Sequence, residues 1–306
     1  MGEGSRPKFS EQSGGKRMNE ALQKIGVVGA GTMGRGIAHT LLRHGYSVLL
    51  ADAAPQFLTQ AIRSISAGLA RDVEKGRLTE EARQQAQGRI ETSPEISLMA
   101  SASFVIEAVT ERFDIKADVL QKLETYCPSD VIFATNTSSI SVTRLAAITR
   151  RPELFVGLHF FNPVPVMKLV EVVLGAETSP ETVEKASQLA SALGKTPIRV
   201  NDYPGFVSNR LLIPMINEAA YAVMESVAEP RAVDDVMKLG MNHPMGPLEL
   251  ADLIGLDVCL DIMKVLYDGF HDSKYRPCPL LEKMVYAGRL GRKSGRGFYG
   301  YPGGKT

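Results

Sequence analysis

A glycine-rich turn between an apolar run and an amphipathic segment limits the folds that this chain can adopt. KIGVVGAG begins at Lys24 and ends in glycines, which is typical of a buried parallel strand followed by a tight turn. TMGRGIAHTLLRHG then repeats apolar residues at helical spacing, and YSVLLAD follows as a second apolar run that ends in Asp52. These segments predict the strand–helix–strand opening of a doubly wound sheet.

The turn has the spacing Gly-x-Gly-x-x-Gly, formed by Gly29, Gly31 and Gly34. Gly29 permits the tight turn, Gly31 lets the backbone approach a pyrophosphate, and Gly34 lets the helix pack against the strand. Thr32 and Met33 open the helix, where free N–H groups favour an anion, so they join the predicted contacts. Glycines that serve only a turn are the alternative, but the strand before and the helix after them favour a dinucleotide site.

Asp52 indicates which dinucleotide binds. It lies 18 residues after Gly34, where a carboxylate can accept hydrogen bonds from the adenosine ribose hydroxyls. The same charge repels a 2′-phosphate, and the next residues, Ala53 and Ala54, offer no arginine to accommodate one. The sequence therefore predicts NAD as the cofactor, in preference to NADP.

Strand and helix patterns alternate up to about residue 200, and only helical patterns follow the segment NDYPGF. We expect an α/β fold of the Rossmann type, with a doubly wound, mostly parallel sheet and a second, all-helical domain. The 306 residues are enough for two hydrophobic cores. The expected organisation is a disordered tail over residues 1–23, an NAD-binding domain over 24–204 and a helical dimerisation and substrate domain over 205–306.

Composition excludes several classes of function. The net charge of +1 provides no general field for nucleic acid or an anionic membrane, and no apolar run is long enough to span a bilayer. The three cysteines are widely spaced, the histidines form no metal-binding pair, and residues 1–23 lack the apolar core of a secretory signal. We therefore expect reduced thiols, no metal, no nucleic-acid or membrane partner, and a cytoplasmic location.

Several longer motifs carry a resemblance to a known family. In order along the chain they are GAGTMGRGIA, IEAVTERFDIK, ATNTSSI, GLHFFNPVPVMKLVEVV, DYPGFVSNRLL, HPMGPLELADLIGLD and GRKSGRGFYGY. From about Lys24 to Tyr301 the chain resembles the 3-hydroxyacyl-CoA dehydrogenase family, of the short-chain or 3-hydroxybutyryl-CoA type. The resemblance implies NAD-dependent oxidation of an (S)-3-hydroxyacyl-CoA to a 3-oxoacyl-CoA, and a homodimer formed through the C-terminal helical domain.

His159 and Glu171 are the candidate catalytic pair. Oxidation of a secondary alcohol needs a base for the hydroxyl proton, and His159 ends a predicted strand on the side where α/β sheets bind ligands. If the next strand is its neighbour, Glu171 can hold the second imidazole nitrogen, and a carboxylate between valines needs such a partner. A histidine satisfied within the core is the alternative. The resemblance implies that His159 is the general base and Glu171 orients it.

Further polar residues are assigned by the resemblance. Ser138 matches a serine that hydrogen-bonds the substrate oxygen, and Asn209 matches an asparagine that helps to hold the reacting group. Asn162 belongs to the same cluster. Taken alone, Ser138 can be a helix N-cap and Asn209 a polar residue on a helix surface.

Two charged groups and a helical segment complete the predicted sites. Glu111 and Lys116 match positions near the nicotinamide end of the cofactor, although a solvated helix start is the alternative. Glu107, inside a predicted strand, is assigned to packing or to the edge of the site. Candidates for the CoA phosphates, if they are not simply a solvated helix face, are Arg63, Arg71 and Lys75.

Two other functions remain open from the sequence. One is a dehydrogenase of a free 3-hydroxy acid, of the gulonate type. The other is a catalytically silent, crystallin-like relative that keeps the fold. The segment HFFNPVPVMKLVEVV favours the thioester enzyme, and the presence of both His159 and Glu171 argues against a silent protein.

Overall fold

The structure is a computed structural model that describes residues 24–301, so the tail expected over residues 1–23 lies outside the described residues. The described chain forms two compact units. The first contains residues 24–137 and 142–199, and the second contains residues 138–141 and 200–301. The short segment 138–141 therefore groups with the helical unit, and the division lies five residues before the expected end of the NAD-binding domain at residue 204.

The first unit is built on an eight-stranded sheet with the order β3-β2-β1-β4-β5-β6-β7-β8. Pairs from β3 to β6 are parallel, and β6 and β7 are antiparallel. The predicted mostly parallel Rossmann sheet is confirmed. The strands are β1 (Lys24–Val28), β2 (Ser47–Ala51), β3 (Ile90–Ser93), β4 (Phe104–Glu107), β5 (Ile132–Thr135), β6 (Phe155–Phe160), β7 (Leu169–Leu174) and β8 (Thr196–Asn201).

The helices of this unit pack on the sheet because each has an apolar stripe. Ile37, Leu41 and Leu42 of the first helix are completely buried in the main core, together with the inner residues of β1 and β2. The helices are α1 (Thr32–Arg43), α2 (Pro55–Glu74), α3 (Glu80–Gln87), α4 (Phe113–Tyr126), α5 (Val142–Ala146) and α6 (Pro180–Ala192). Helices α2 and α3 are separated by a short turn that contains Gly76.

Strand ends position the candidate site. β1, β4, β5 and β6 are parallel neighbours, so their carboxyl ends lie along the same edge of the sheet. The residues that end these strands are Val28, Glu107, Thr135 and Phe160. In open α/β sheets, ligands bind at this edge.

The second unit is helical, as predicted. Its core surrounds α10 and includes Leu256, Leu260 and Met263, with Ile213 and Ile216 from α7. The helices are α7 (Ser208–Met224), α8 (Pro230–Gly240), α9 (Pro247–Ile254), α10 (Leu256–Phe270) and α11 (Pro279–Tyr286).

A buried carboxylate on α9 fastens the glycine-rich C-terminal segment. Asp252 accepts hydrogen bonds from the N–H groups of Phe298 and Tyr299 and from the hydroxyl of Tyr301. A Cβ at Gly297 would overlap the Asp252 carboxylate, so a glycine is required there. The segment GRGFYGY is therefore anchored to α9 of the helical unit.

Candidate active site

The glycine turn after β1 is shaped by close backbone approaches. Gly29 has a φ of 103°, and a Cβ there would lie 2.5 Å from the carbonyl oxygen of Ala108, at the end of the neighbouring strand. A Cβ on Gly34 would overlap the Gly29 carbonyl oxygen, whereas one on Gly31 would meet open space. Gly29 and Gly34 are therefore required by the turn itself, and Gly31 leaves the turn open to an approaching ligand.

Asp52, at the end of β2, holds the same turn. Its carboxylate accepts hydrogen bonds from the backbone N–H groups of Ala30, at 2.7 Å, and Ala54, at 2.9 Å. It also lines a cleft of about 690 Å³ whose walls include Gly29 and Gly31. The apolar side chains Phe57, Ile96, Ile115 and Val119 line this cleft too. A planar base and its ribose fit such walls, so these residues suit the adenosine half of NAD.

Thr32 and Met33 differ in their surroundings. Helix α1 begins at Thr32 with Gly31 as its N-cap, and its first turn has no acidic residue, so its positive end favours a phosphate. Thr32 is exposed, while Met33 is half-buried and packs against the main core. Both remain predicted cofactor contacts, with Thr32 the more accessible of the two.

A buried ion-pair network lies beyond the turn, at the ends of β4 and β5. Glu107 accepts hydrogen bonds from the ammonium of Lys116 at 2.8 and 3.0 Å, from the hydroxyl of Thr135 at 2.6 Å, and from the backbone N–H two residues on. The ammonium also lies 3.2 Å from Glu111, whose other oxygen accepts from the Thr137 hydroxyl at 2.6 Å. Five side chains are thereby linked: one each from β4, β5 and α4, and two from the loops that follow β4 and β5.

One end of this network, at Glu107, is buried, and the other end, at Glu111, is accessible to solvent. The side chains of Glu107 and Lys116 are completely buried, whereas that of Glu111 is 35% exposed. Lys116 thus contacts the buried carboxylate of Glu107 and the accessible carboxylate of Glu111, and holds Glu111 at the surface of the site. Sequence reasoning missed the central role of Glu107, although the cost of an unpaired carboxylate in an apolar strand, the argument applied to Glu171, could have identified it.

His159 and Glu171 face each other in the antiparallel register of β6 and β7. The Nδ1 atom of His159 lies 2.8 Å from the Oε2 atom of Glu171, and both side chains are buried. The Phe161 ring packs against the imidazole with centroids 4.6 Å apart. When Nδ1–H donates to the carboxylate, Nε2 retains its lone pair and can accept a proton. The contact between the two residues is as the strand pattern predicted.

Asn136 connects this pair to the parallel part of the sheet. It follows β5, and its side-chain oxygen accepts a hydrogen bond of 2.9 Å from the backbone N–H of Phe160. Because it is buried, the bond is shielded from water and fixes the end of β6 beside β5. The motif ATNTSSI contains this asparagine, but its spacing alone does not indicate the cross-strand bond.

The remaining predicted polar residues fall in both units. Ser138 and Asn209 belong to the second unit, where the Asn209 amide donates to the Ser138 carbonyl oxygen at 3.1 Å. Ser138 is not a helix N-cap, since α5 begins at Val142. Asn162 belongs to the first unit, is exposed and lies two residues after the end of β6.

A second cleft of about 350 Å³ lies within the first unit, between α1, α2 and the loop 162–166. Four basic residues line it: Arg35, Arg71, Lys75 and Arg77. The predicted candidates Arg71 and Lys75 are thus brought together, with Arg35 and Arg77 added, while Arg63 does not line this cleft. Such a concentration of cations suits a phosphate-bearing ligand.

A buried carboxylate balances part of this charge. Asp72 lies 3.0 Å from Nε2 of His39 and 3.6 Å from both Arg43 and Arg77. Burial lowers the pKa of His39, outweighing the opposite effect of Asp72, so the imidazole is neutral near neutral pH. The arginines and not the histidine therefore supply the positive charge beside this carboxylate.

Among residues 24–301, no cluster of three or more metal-ligating side chains is present. None of the described helices has the length and apolarity needed to cross a membrane.

The fold and the dinucleotide turn define an NAD-binding dehydrogenase of the two-domain type. Family models confirm the particular family: 3-hydroxyacyl-CoA dehydrogenase, NAD binding domain, matches residues 24–203, and 3-hydroxyacyl-CoA dehydrogenase, C-terminal domain, matches residues 205–301. The chain belongs to the 3-hydroxyacyl-CoA dehydrogenase family. The predictions of an NAD-dependent enzyme and of this family are confirmed.

Relatives cover nearly the whole chain. It is 53% identical over 280 residues to a probable 3-hydroxybutyryl-CoA dehydrogenase of Bacillus subtilis, covering 92% of this chain and 98% of the relative. It is 49% identical over 288 residues to a 3-hydroxybutyryl-CoA dehydrogenase of Bradyrhizobium diazoefficiens, covering 94% and 98%. The crystal structure of (S)-3-hydroxybutyryl-CoA dehydrogenase from Ralstonia eutropha has a TM-score of 0.89 at 47% identity, covering 92% and 99%.

Proposed function

We propose that the enzyme oxidises short-chain (S)-3-hydroxyacyl-CoA thioesters, with His159 as the general base and Glu171 as the residue that orients it. The observation that supports this most strongly is the 2.8 Å contact between Nδ1 of His159 and the Glu171 carboxylate at the ligand-binding edge of the sheet. A carboxylate on one imidazole nitrogen leaves the other nitrogen as the acceptor, which is the arrangement a base requires.

The proton of the substrate hydroxyl passes to the imidazole. Nε2 of His159 takes the proton of the substrate hydroxyl, and the Glu171 carboxylate stabilises the imidazolium that results. NAD, when bound, supplies the hydride acceptor. Ser138 and Asn209 are proposed to hydrogen-bond the reacting oxygen, with Asn162 in the same cluster. Glu111 is proposed to contact the nicotinamide end of the cofactor, because it is the accessible end of the network that Lys116 holds.

The CoA moiety is proposed to occupy the second cleft. Its phosphates need cations, and Arg35, Arg71, Lys75 and Arg77 provide them at one place in the first unit. A short acyl chain is proposed because the relatives from Bacillus subtilis, Bradyrhizobium diazoefficiens and Ralstonia eutropha carry the name 3-hydroxybutyryl-CoA dehydrogenase.

One assay tests the substrate class. NADH oxidation is followed with acetoacetyl-CoA and, separately, with free acetoacetate at the same concentration. We expect turnover with the thioester and little with the free acid, since the basic cleft has no ligand in the second case. Equal rates with both compounds would favour a dehydrogenase of free 3-hydroxy acids, and no rate with the thioester would refute the proposal.

His159→Asn tests the base. Removing a general base lowers kcat by about a hundredfold to ten-thousandfold. Glu171→Gln should lower it by less, because the imidazole remains in place without its charged partner. His271→Asn is the matched control, since His271 is exposed, ends α10 and has a positive φ that asparagine also tolerates. A His159→Asn enzyme with the control's kcat would remove His159 from the mechanism.

Arg71→Ala tests the CoA cleft. We expect a higher KM for acetoacetyl-CoA and an unchanged KM for NADH, because Arg71 lines the second cleft and not the cleft beside Asp52. Arg63→Ala is the control: Arg63 lies on the same helix, is exposed and does not line the cleft. If both variants behave alike, the cleft is not where the phosphates bind.

Assembly and location are proposed in the same way. Apolar side chains on the helical unit are strongly exposed, including Leu211, Val227, Leu239 and Tyr286. A second copy of the chain would cover such a surface, so we propose a homodimer formed by this unit. Light scattering after gel filtration measures the mass, and a monomer would contradict the proposal. The cytoplasm is the proposed location, to be checked by cell fractionation.

A further inference from the structure

We propose that Lys195 is a positioning residue that holds the loop 162–167 in place as a wall of the second cleft, and so determines the affinity for the acyl-CoA. The inference rests on the proposed use of that cleft by CoA. It concerns a lysine outside the catalytic pair, in the turn between α6 and β8.

The contacts of the Lys195 ammonium are with the loop. Its Nζ atom donates to the carbonyl oxygens of Val164, at 2.5 Å, and Met167, at 2.8 Å. Both acceptors come from the loop that continues from β6, the strand of His159. Within that loop, the backbone N–H groups of Val166 and Met167 already bond to the Pro163 oxygen. The lysine therefore satisfies carbonyl groups that the loop's own turn leaves over.

Helix α1 also contacts the loop. A Cβ added to Gly36 would lie 3.0 Å from the Cβ of Val164, so helix and loop are in close contact there. Val164 is buried, while Asn162 and Val166 are exposed and line the second cleft with Pro163. The loop thus contacts both α1 and Lys195, so a shift of either support moves the cleft wall.

The lysine itself stands on a rigid turn. Gly194 has a φ of 67° and ends α6, and the N–H of Lys195 bonds back to the Ala190 carbonyl oxygen at 3.0 Å. The next N–H, of Thr196, donates to the oxygen of Lys168 at 2.7 Å, just after the loop. These backbone hydrogen bonds fix the position of the Lys195 backbone. The side chain therefore extends to the loop from a fixed point.

The charge around the amine explains why its protonation matters. Among residues 24–301, no carboxylate pairs with Lys195. Two titratable groups at the end of α1 interact electrostatically with Lys195: the charge of Arg43 lowers the pKa of Lys195, and the charge of Lys195 lowers the pKa of His44. Asp72 lies 3.6 Å from Arg43 and pairs with it. Burial, with a smaller contribution from Arg43, lowers the pKa of Lys195 to about 8. A charged donor makes the stronger hydrogen bond, so the hold on the loop weakens as pH rises through this value.

Three variants test the proposal in the full-length enzyme. Lys195→Met removes the donors and keeps an unbranched apolar stem, Lys195→Arg restores a charged donor, and Lys185→Met is the control on an exposed site of α6. We expect Lys195→Met to raise KM for acetoacetyl-CoA about tenfold, the effect of losing roughly 1.4 kcal/mol of hydrogen bonding, with KM for NADH unchanged. Lys195→Arg should recover most of the loss, and the control should match the unmodified enzyme.

Two further readouts separate positioning from general damage. Hydrogen exchange in a peptide covering residues 160–168 should accelerate in Lys195→Met and not in Lys185→Met, while the sheet peptides of β1 and β4 keep their protection. In the unmodified enzyme KM for acetoacetyl-CoA should rise above about pH 8, and this rise should be absent in Lys195→Arg, because a guanidinium stays charged.

The outcomes distinguish this inference from the proposed function. An enzyme that turns over acetoacetyl-CoA but shows the same KM and loop exchange after Lys195→Met would overturn the role of Lys195 alone. An unmodified enzyme without thioester activity would overturn the proposed substrate. In that case loop exchange still reports whether Lys195 holds the loop.

Discussion

Replacing Lys116 by methionine should destabilise the first unit far more than an ordinary charge removal. Lys116 and Glu107 are both completely buried, and the ammonium makes two bonds of 2.8 and 3.0 Å to one carboxylate. Without the ammonium, Glu107 keeps the Thr135 hydroxyl and one backbone N–H as donors, but no other cation among the described residues pairs with its negative charge. Desolvation then acts against the charge without compensation.

The magnitude follows from the burial. Breaking a buried pair by removing one partner costs about 3–5 kcal/mol, whereas an exposed pair contributes about 0.2–1 kcal/mol. The same helix offers the matched control: Lys122 and Asp118 form a pair of 2.6 Å with both side chains more than half exposed. Lys116→Met should therefore lower the free energy of unfolding by about 3 kcal/mol or more. Lys122→Met should change it by less than about 1 kcal/mol.

Urea unfolding followed by circular dichroism measures both values. Adding Glu107→Gln to Lys116→Met should restore part of the stability, because the amide carries no buried charge. Its oxygen can still accept the backbone N–H bond, and its NH2 group can donate to the Thr135 hydroxyl oxygen. The coupling between the two substitutions should reach about 1–3 kcal/mol. Equal effects of Lys116→Met and Lys122→Met, or strict additivity in the double variant, would show that the pair does not act as described.

Three further predictions concern the turn and the thiols. Gly31→Ala should leave the melting temperature unchanged but weaken NAD binding in calorimetry. Gly34→Ala should lower the melting temperature as well as the affinity for NAD, because its Cβ overlaps the Gly29 oxygen. Equal melting temperatures for the two variants would contradict this distinction. Asp52→Asn keeps an acceptor for the Ala30 N–H yet removes the charge, so the preference for NAD over NADP in kcat/KM should fall about tenfold or more; an unchanged preference would count against it. Burial raises the pKa of all three buried cysteine thiols, to about 11 for Cys127 and about 12 for Cys259, with Cys278 raised as well. None of them should therefore react with Ellman's reagent in the folded enzyme at about pH 8, whereas all three should react in urea.

Local sequence patterns were sufficient where short segments decide their own structure. The glycine turn, the helix that ends before Gly45 and the apolar strands are each specified within about ten residues, because backbone sterics and hydrophobic periodicity act over that distance. Strand β3 has no such local pattern. Its sequence, IETS, is polar and only partly buried at the edge of the sheet, so no apolar pattern marks it.

Part of the candidate site was also accessible from sequence. Glu171 was assigned to His159 because a carboxylate in an apolar strand needs a partner and one turn separates the two strands, and the structure contains that contact. The basic cleft was only partly anticipated. Arg35 of α1 and Arg77, beyond α2, line the same cleft as Arg71, whereas Arg63 does not. Helical spacing in the sequence does not indicate this.

The family, the cofactor and the two-domain plan could all be predicted from the amino-acid sequence, since they depend on motifs whose residues lie close together in the chain. Three contacts became visible only in the folded chain: the buried network centred on Glu107, the bridge that Asn136 makes between β5 and β6, and the bonds from Lys195 to a loop about thirty residues before it. These contacts join elements far apart in sequence. Their energies come from burial and from the pairing of polar groups, and both exist only after the sheet has brought the strand ends together.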